Sequence, residues 1–244
     1  MLSSEYSSRR HFLSAFGGFP FLWRKGVIEL ASIRFRRLES RPGNRRYLLI
    51  HGDESTARRV LTEHMRKATG TAYLVTNETR TVKFDGAELD PNRLFSREGA
   101  EKSLQKLNPT RSTERIKKTL DRLDSQRGRL VEALTPPATG RIVALHNNAR
   151  GYSMKDEIEV SDKTALNDAE HPYEFILCTA AADFESLAQG PYNVLLQATG
   201  PKDDDGSLSR LAARSGIRYV NIEAALGQFE KQRSMLEFLE SSLP

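Results

Sequence analysis

Three apolar runs of this chain end in side chains that can do chemistry. YLLI leads into His51 and Glu54, IVAL into His146, Asn147 and Asn148, and RYVNI into Glu223. Two neutral imidazoles and one carboxylate form the ligand set of a catalytic zinc that keeps its fourth position for water. A further carboxylate that stays off the metal can take the proton of that water. The chemistry these residue types suit is metal-assisted hydrolysis.

Spacing alone is a weak signal, because H-x-x-E occurs twice, as HGDE at His51 and as HPYE at His171. HGDE closes an apolar run, whereas HPYE precedes one and contains a proline. His51 by itself reads as a hydrogen-bonded strand-end histidine, and His64, beside Arg66 and Lys67 in a predicted helix, is expected on a solvated face. A third group adds weight. Asp90-Pro91-Asn92-Arg93 is followed by Phe95, and Arg80 lies 13 positions before Arg93. The planar fork of an arginine pairs with a carboxylate through two hydrogen bonds, and an asparagine amide adds another. Asn92 and Arg93 are therefore candidates to anchor an acidic substrate terminus.

Elements must bring these groups together. VIELASIRFRRLE and RRYLLIHG read as two strands joined by a turn at SRPGN. STARRVLTEHMRKATG carries Ala57, Val60, Leu61 and Met65 on one helical face and stops at Gly70. TAYLVT, TVKF, GRIVALHNN, YEFILCTA, YNVLLQA and IRYVNIEA follow as strand-like runs, with helices expected over 112–134 and about 228–243. Nearly all-apolar strands separated by helices imply an α/β fold, with a mixed, mostly parallel central sheet and helices on both faces. In such sheets ligands lie beyond the carboxyl ends of the strands, where the polar residues above fall.

The 244 residues suffice for one sizeable domain, assigned to 26–244. The apolar share of 38% and charged share of 28% suit a globular chain rather than a disordered or membrane-embedded one. Of the net charge of +5, the first 25 residues supply +3, through Arg9, Arg10, Arg24 and Lys25 against Glu5. The balance left gives no case for nucleic acid. Within that segment, Ser8, Arg9, Arg10, Phe12 and Leu13 match a twin-arginine export signal, S-R-R-x-F-L, so residues 1–25 are expected to be a leader that directs the protein to the periplasm, the alternative being a basic terminus of a cytoplasmic protein. Its apolar stretch is too short to span a bilayer. The lone Cys178, in FILCTAA, is expected as a small buried apolar residue.

Taken in order, HGDE, DPNR-x-F, ALHNN and VNIEA resemble the zinc carboxypeptidase superfamily, including its succinylglutamate desuccinylase and aspartoacylase branch. The resemblance covers about residues 45 to 230. It implies one zinc ion on His51, Glu54 and His146, a substrate carboxylate on Asn92 and Arg93, a carbonyl-polarising Arg80 and a general base at Glu223. It further implies an enzyme that cleaves an amide bond next to a free carboxylate. A carboxypeptidase-like peptidase, acting on cell-wall peptides if exported, leads an N-acyl amino-acid deacylase; a non-catalytic peptide-binding homologue is the remaining alternative. The interval from Glu54 to His146 is that of the compact bacterial amidases and deacylases, and Pro91 replaces the family's usual leucine. The family's substrate-capping tyrosine has Tyr152 and Tyr219 as candidates, and Asp53 is left for a hydrogen bond to a ligand histidine or a loop contact.

Overall fold

The computed structural model describes residues 24–148, 151–199 and 204–244. The leader expected over 1–25 falls almost wholly outside the described residues, which begin with the first strand.

VIELASIRFRRLE, expected as one strand, folds as a hairpin of β1 (Arg24–Leu30) and β2 (Ile33–Glu39), turning at Ala31 and Ser32 with φ of 49° and 59°. These left-handed positions carry neither Gly nor Asn, so nothing in the residue types marks the turn. The expected turn at SRPGN is instead the start of β3 (Arg41–Leu49), where Pro42 and Gly43 sit in a register shift between Arg41 and Arg46. A proline has no N–H for the ladder and is tolerated at such an irregularity.

The chain continues through α1 (Ser55–His64), β4 (Thr69–Val75), a small hairpin of β5 (Val82–Phe84) and β6 (Ala87–Leu89), a 3₁₀ turn at Pro91–Arg93, α2 (Arg97–Leu107) and α3 (Thr113–Leu134). Then come β7 (Arg141–Asn148), α4 (Lys155–Ile158), β8 (Lys163–Ala165), β9 (Phe175–Cys178), α5 (Ala181–Leu187), β10 (Asn193–Leu196), α6 (Leu208–Ser215), β11 (Tyr219–Ala225) and α7 (Phe229–Ser242). The helix expected from residue 112 is α3, with the Ser112 side chain accepting from the Arg115 N–H as its cap.

Among the described residues nine strands form one sheet, in the order β1-β2-β4-β3-β7-β11-β9-β10-β8. Its centre, β4-β3-β7-β11, is parallel throughout; β1 and β2 run antiparallel at one edge, and β9 is antiparallel to β11 at the other side. The α/β class with a parallel sheet centre and helices on both faces is the one expected. Alternation along the strands divides the core. Tyr47 and Leu49 of β3, with Val143 and Leu145 of β7, pack under α1, α5 and α7, where Ala57, Val60, Leu61 and Met65 are all buried. Leu48, Ile142 and Ala144 face the opposite way, under α2, α3 and α6. Cys178 is fully buried in β9, where burial pushes its thiol pKa up, in keeping with its expected apolar role.

One close approach holds the loop before α6 in place. A Cβ on Gly99, in the first turn of α2, would lie 2.2 Å from the backbone nitrogen of Gly206. Phe95 N also donates to Gly206 O at 2.9 Å. Gly99→Ala is therefore expected to cost about 1–3 kcal/mol, the usual penalty for overpacking a tight contact. Thermal unfolding should show a Tm several degrees lower; an unchanged Tm would mean the loop moves aside freely.

Candidate active site

β3, β7 and β11 are neighbours running in one direction, so their carboxyl ends open on the same side of the sheet. His51 leaves the end of β3, and Glu54 stands at the N-cap position of α1 three residues later. Between them the chain passes so close to the segment at Asn77 that only glycine fits at position 52, where a Cβ would come within 2.4 Å of the Asn77 carbonyl oxygen. His146 lies on β7 directly beside Glu223 of β11, in register. Both sit at even spacing from residues of the α2, α3 and α6 face, so both project to that side.

His51, Glu54, His146 and Glu223 are all buried, with relative exposures of 1, 2, 5 and 6%. Glu54 Oε1 lies 2.8 Å from His51 Nδ1 and 3.2 Å from His146 Nδ1, and the two rings meet edge to face at 5.1 Å. Glu54 Oε2 is buried without a hydrogen-bond partner among the described residues. Ligand atoms of His51, Glu54 and His146 lie within 4.8 Å of one another, the one such group able to hold a metal ion among the described residues. An orphaned buried carboxylate oxygen is costly unless something satisfies it, and a cation between two nitrogens and that carboxylate would do so. The residues fit a metal.

The charges are strongly coupled. Burial opposes ionisation of His51, but Glu54 and Asp90 outweigh it and raise its pKa to about 9. Burial likewise works against ionised Glu54, and His146 and His51 overcome it, lowering the carboxyl to about 2. Glu223 differs. Desolvation dominates there and pushes its pKa up to about 7, with Glu54 adding to the rise, His146 opposing it and Asn221 Nδ2 donating to Glu223 Oε1 at 3.0 Å.

The hydrogen bond to a ligand histidine that Asp53 was a candidate to make is made by Asp90. Asp90 Oδ1 sits 2.9 Å from His51 Nε2 and also accepts from the Asn92 N–H at 2.9 Å, while Asp53 is exposed. Asp53 sits in the turn between His51 and Glu54; Asp90 directly follows β6, which brings it across the fold to the ring. Arg80, 41% exposed, places Nη1 3.4 Å from Glu54 Oε1. Asn92 accepts from the Leu208 N–H at 3.1 Å through its amide oxygen, which leaves its NH₂ as a donor. Arg93 Nη1 pairs with Asp205 Oδ2 at 3.0 Å.

Arg80, Asn92 and Arg93 line one cavity with His51, Glu54, His146 and Glu223, of about 360 Å³. Both tyrosine candidates line it as well. Tyr219 is buried in β11, whereas the Tyr152 hydroxyl donates to Glu157 Oε1 at 2.8 Å. The second H-x-x-E is elsewhere: His171 is exposed and pairs with Asp168 at 2.6 Å. His64 is not on a solvated face but half-buried, edge-on to Tyr47 at 5.2 Å, with its pKa lowered by desolvation. The residues that sequence reasoning passed over are Asp205, Glu157, Gln197 and Arg210; the acidic run before Gly206 was the only local sign of any of them.

No family model and no curated protein matches the chain. Among solved structures it is similar to murein-tripeptide amidase MpaA from Escherichia coli O157, at 14% identity, over 92% of this chain and 93% of that one, with a TM-score of 0.47. It is also similar to the apo form of the ectoine utilization protein EutE (DoeB) from Ruegeria pomeroyi, at 16% identity over 91% and 68% of the two chains, TM-score 0.47. A succinylglutamate desuccinylase from Silicibacter sp. TM1040 matches at 14% identity over 86% of this chain and 60% of that one, TM-score 0.45. At TM-scores under 0.5 the fold class rests on the chain's own strand order, and the site on its own geometry. No helix among the described residues is long and apolar enough to cross a membrane.

Proposed function

We propose that the protein is a zinc-dependent hydrolase of the carboxypeptidase-like kind, cleaving an amide bond next to a free carboxylate, with a peptidase acting on a C-terminal residue as the leading form. One observation carries this reading. Both histidines turn Nδ1 toward a single buried Glu54 oxygen while a separate, protonatable Glu223 stands on the adjacent strand. A binding homologue would have no use for that second carboxylate, whose burial costs free energy.

Zinc held by His51, Glu54 and His146 supplies Lewis acidity toward a carbonyl and lowers the pKa of a water toward neutrality. Glu223 takes the proton of the attacking water and returns it to the departing nitrogen, the role its raised pKa suits near pH 7. Arg80 directs its guanidinium at the carbonyl oxygen, where negative charge develops. Asn92 and Arg93 hold the substrate carboxylate, so binding energy is converted into orientation of the reacting carbonyl. If the leader acts as an export signal, peptides of the cell wall are the natural substrates to try.

The test is a screen of zinc-loaded protein against short peptides, cell-wall peptides and N-acyl amino acids, with a chelated control. Hydrolysis of peptides that is lost with the metal supports the leading form; turnover of N-acyl amino acids alone would make the protein a deacylase, and no turnover of any class would overturn the reading. Asp90 offers a finer check. By fixing His51 Nε2 it orients the ring and raises its basicity, and Asp90→Asn is expected to weaken metal binding by about 10- to 100-fold. Competition against a chromophoric chelator measures this directly.

A further inference from the structure

Glu54 stands at the start of α1 and does not cap it. A residue at that position ordinarily turns its side chain back to accept from the second or third N–H of its helix. The Glu54 carboxylate makes no such bond and faces His51 and His146 instead. The N–H left over in the first turn is that of Ala57, and it donates to Asn147 Oδ1 at 2.8 Å, from 90 positions along the chain. Asn147 directly follows His146 on β7 and so projects to the opposite face of the sheet, toward α1 and α7.

The amide of Asn147 is held in turn by α7. Its Nδ2 donates to Gln232 Oε1 at 3.0 Å, and Gln232 Nε2 donates to the backbone carbonyl of His146 at 2.8 Å. Gln232 is completely buried, at 0% exposure, and Asn147 is 4% exposed. A backbone N–H can only donate and a carbonyl can only accept, so Ala57 and His146 fix both amides in one orientation, with all four of their polar atoms paired. Desolvating two amides is unfavourable, and a fully satisfied buried network of this kind fixes geometry where an apolar contact would leave it free to slide. The geometry fixed here is that of α1, which carries Glu54, against the strand that carries His146.

We infer that Asn147 and Gln232 are positioning residues, a buried amide clamp that holds Glu54 and His146 at the separation a metal ion requires. Asn147 supplies the helix cap that Glu54 gives up by facing the histidines, and Gln232 locks Asn147 to the backbone of the ligand beside it. The inference rests on the metal-site reading above and adds α7, which lends no side chain to the cavity, to the elements that set metal affinity.

Zinc affinity of the whole protein, measured by competition against a chromophoric chelator, is the test. Asn147→Leu and Gln232→Met keep roughly the side-chain volume and remove the hydrogen bonds, and each is expected to weaken zinc binding by about 10- to 100-fold. The two amides act as one unit, so the double variant should lose about as much as the worse single variant, not the product of the two. Leu239→Ala is the control. It lies in the same core two helical turns beyond Gln232, and it should lower the Tm while leaving the affinity unchanged. Wild-type affinity in both amide variants, or an equal loss in Leu239→Ala, would overturn the inference. Hydrogen exchange of the metal-free protein gives a readout that needs no ion: in both amide variants residues 51–61 should exchange faster while α3, across the sheet, keeps its protection. If the wild type takes up no zinc, the metal reading fails and exchange alone decides the clamp. Faster exchange confined to 51–61 then supports it, and unchanged exchange there, or an equal loss in α3, overturns it. If Asn147→Leu does not fold, as judged by circular dichroism, Gln232→Met, which leaves the Ala57 N–H its partner, carries both comparisons.

Discussion

Glu223→Gln is expected to keep a full equivalent of metal while losing about 10²- to 10⁴-fold in kcat, the usual worth of a positioned general base. The amide is nearly isosteric and can still accept from Asn221, whose Nδ2 lies 3.0 Å from Glu223 Oε1, so the wall of the cavity is kept. What disappears is the group that changes protonation. The fold should not suffer. In the metal-free protein the Glu223 pKa is raised from 4.5 to about 7, so its ionised form is disfavoured by folding, and stability falls as pH rises through that interval. Replacing it removes this cost, and the Tm at pH 8 should be equal or higher. In the wild type, turnover requires the ionised form, and kcat/KM should fall on the acid side of pH 7, further down when a cation beside Glu223 lowers its pKa. Full activity in the glutamine variant would end the base assignment, whatever the metal content.

Removal of the metal ligands has the second large effect. His51→Ala with His146→Ala is expected to abolish metal uptake and bring hydrolysis to the background of the chelated wild type, because Glu54 alone offers one hard donor. Stoichiometric zinc in that double variant, by elemental analysis, would remove the proposed site. The wild-type metal affinity should also depend on pH in a definite direction. Without metal, His51 carries its proton up to about pH 9, with burial opposing this and Glu54 and Asp90 sustaining it. Its ion pairs therefore contribute stability below pH 6.5 that is lost as pH rises through 9, whereas those of Glu54, lowered to about 2, are present above pH 4.5 and are lost as pH falls through 2. A ligand nitrogen must be unprotonated, so zinc uptake at pH 7 releases a proton and affinity rises about tenfold per pH unit below 9. Calorimetry in buffers of different ionisation enthalpy counts that proton; a count of zero would show that His51 is already neutral.

Much of the fold was legible, for reasons visible in particular residues. Periodic burial of Ala57, Val60, Leu61 and Met65, and the serine cap of α3, announce helices by local rules that tertiary contacts did not override. The hairpin at Ala31 and Ser32 was not legible, since both residues take left-handed backbone without the Gly or Asn that would flag it. Pro42 and Gly43 misled in the other direction: a turn pair was absorbed as an irregularity at the start of a strand. His64 was misplaced because its charged neighbours suggested solvent, while Tyr47 on the sheet below gave it a half-buried seat.

By itself the sequence determined which groups are present and that they follow apolar strands. His51, Glu54, His146 and Glu223 could be picked out because strand ends in a parallel sheet are where ligands sit. Only the tertiary structure decided how those ends meet. Neighbouring β3, β7 and β11 converge two imidazoles on one oxygen of Glu54, and β6 brings Asp90, not Asp53, to the far side of the His51 ring. It also seats α6 against Asn92 and turns Arg210 into the same cavity. Those partners lie tens of residues apart, and no local propensity or spacing encodes a contact that is made by packing across the sheet.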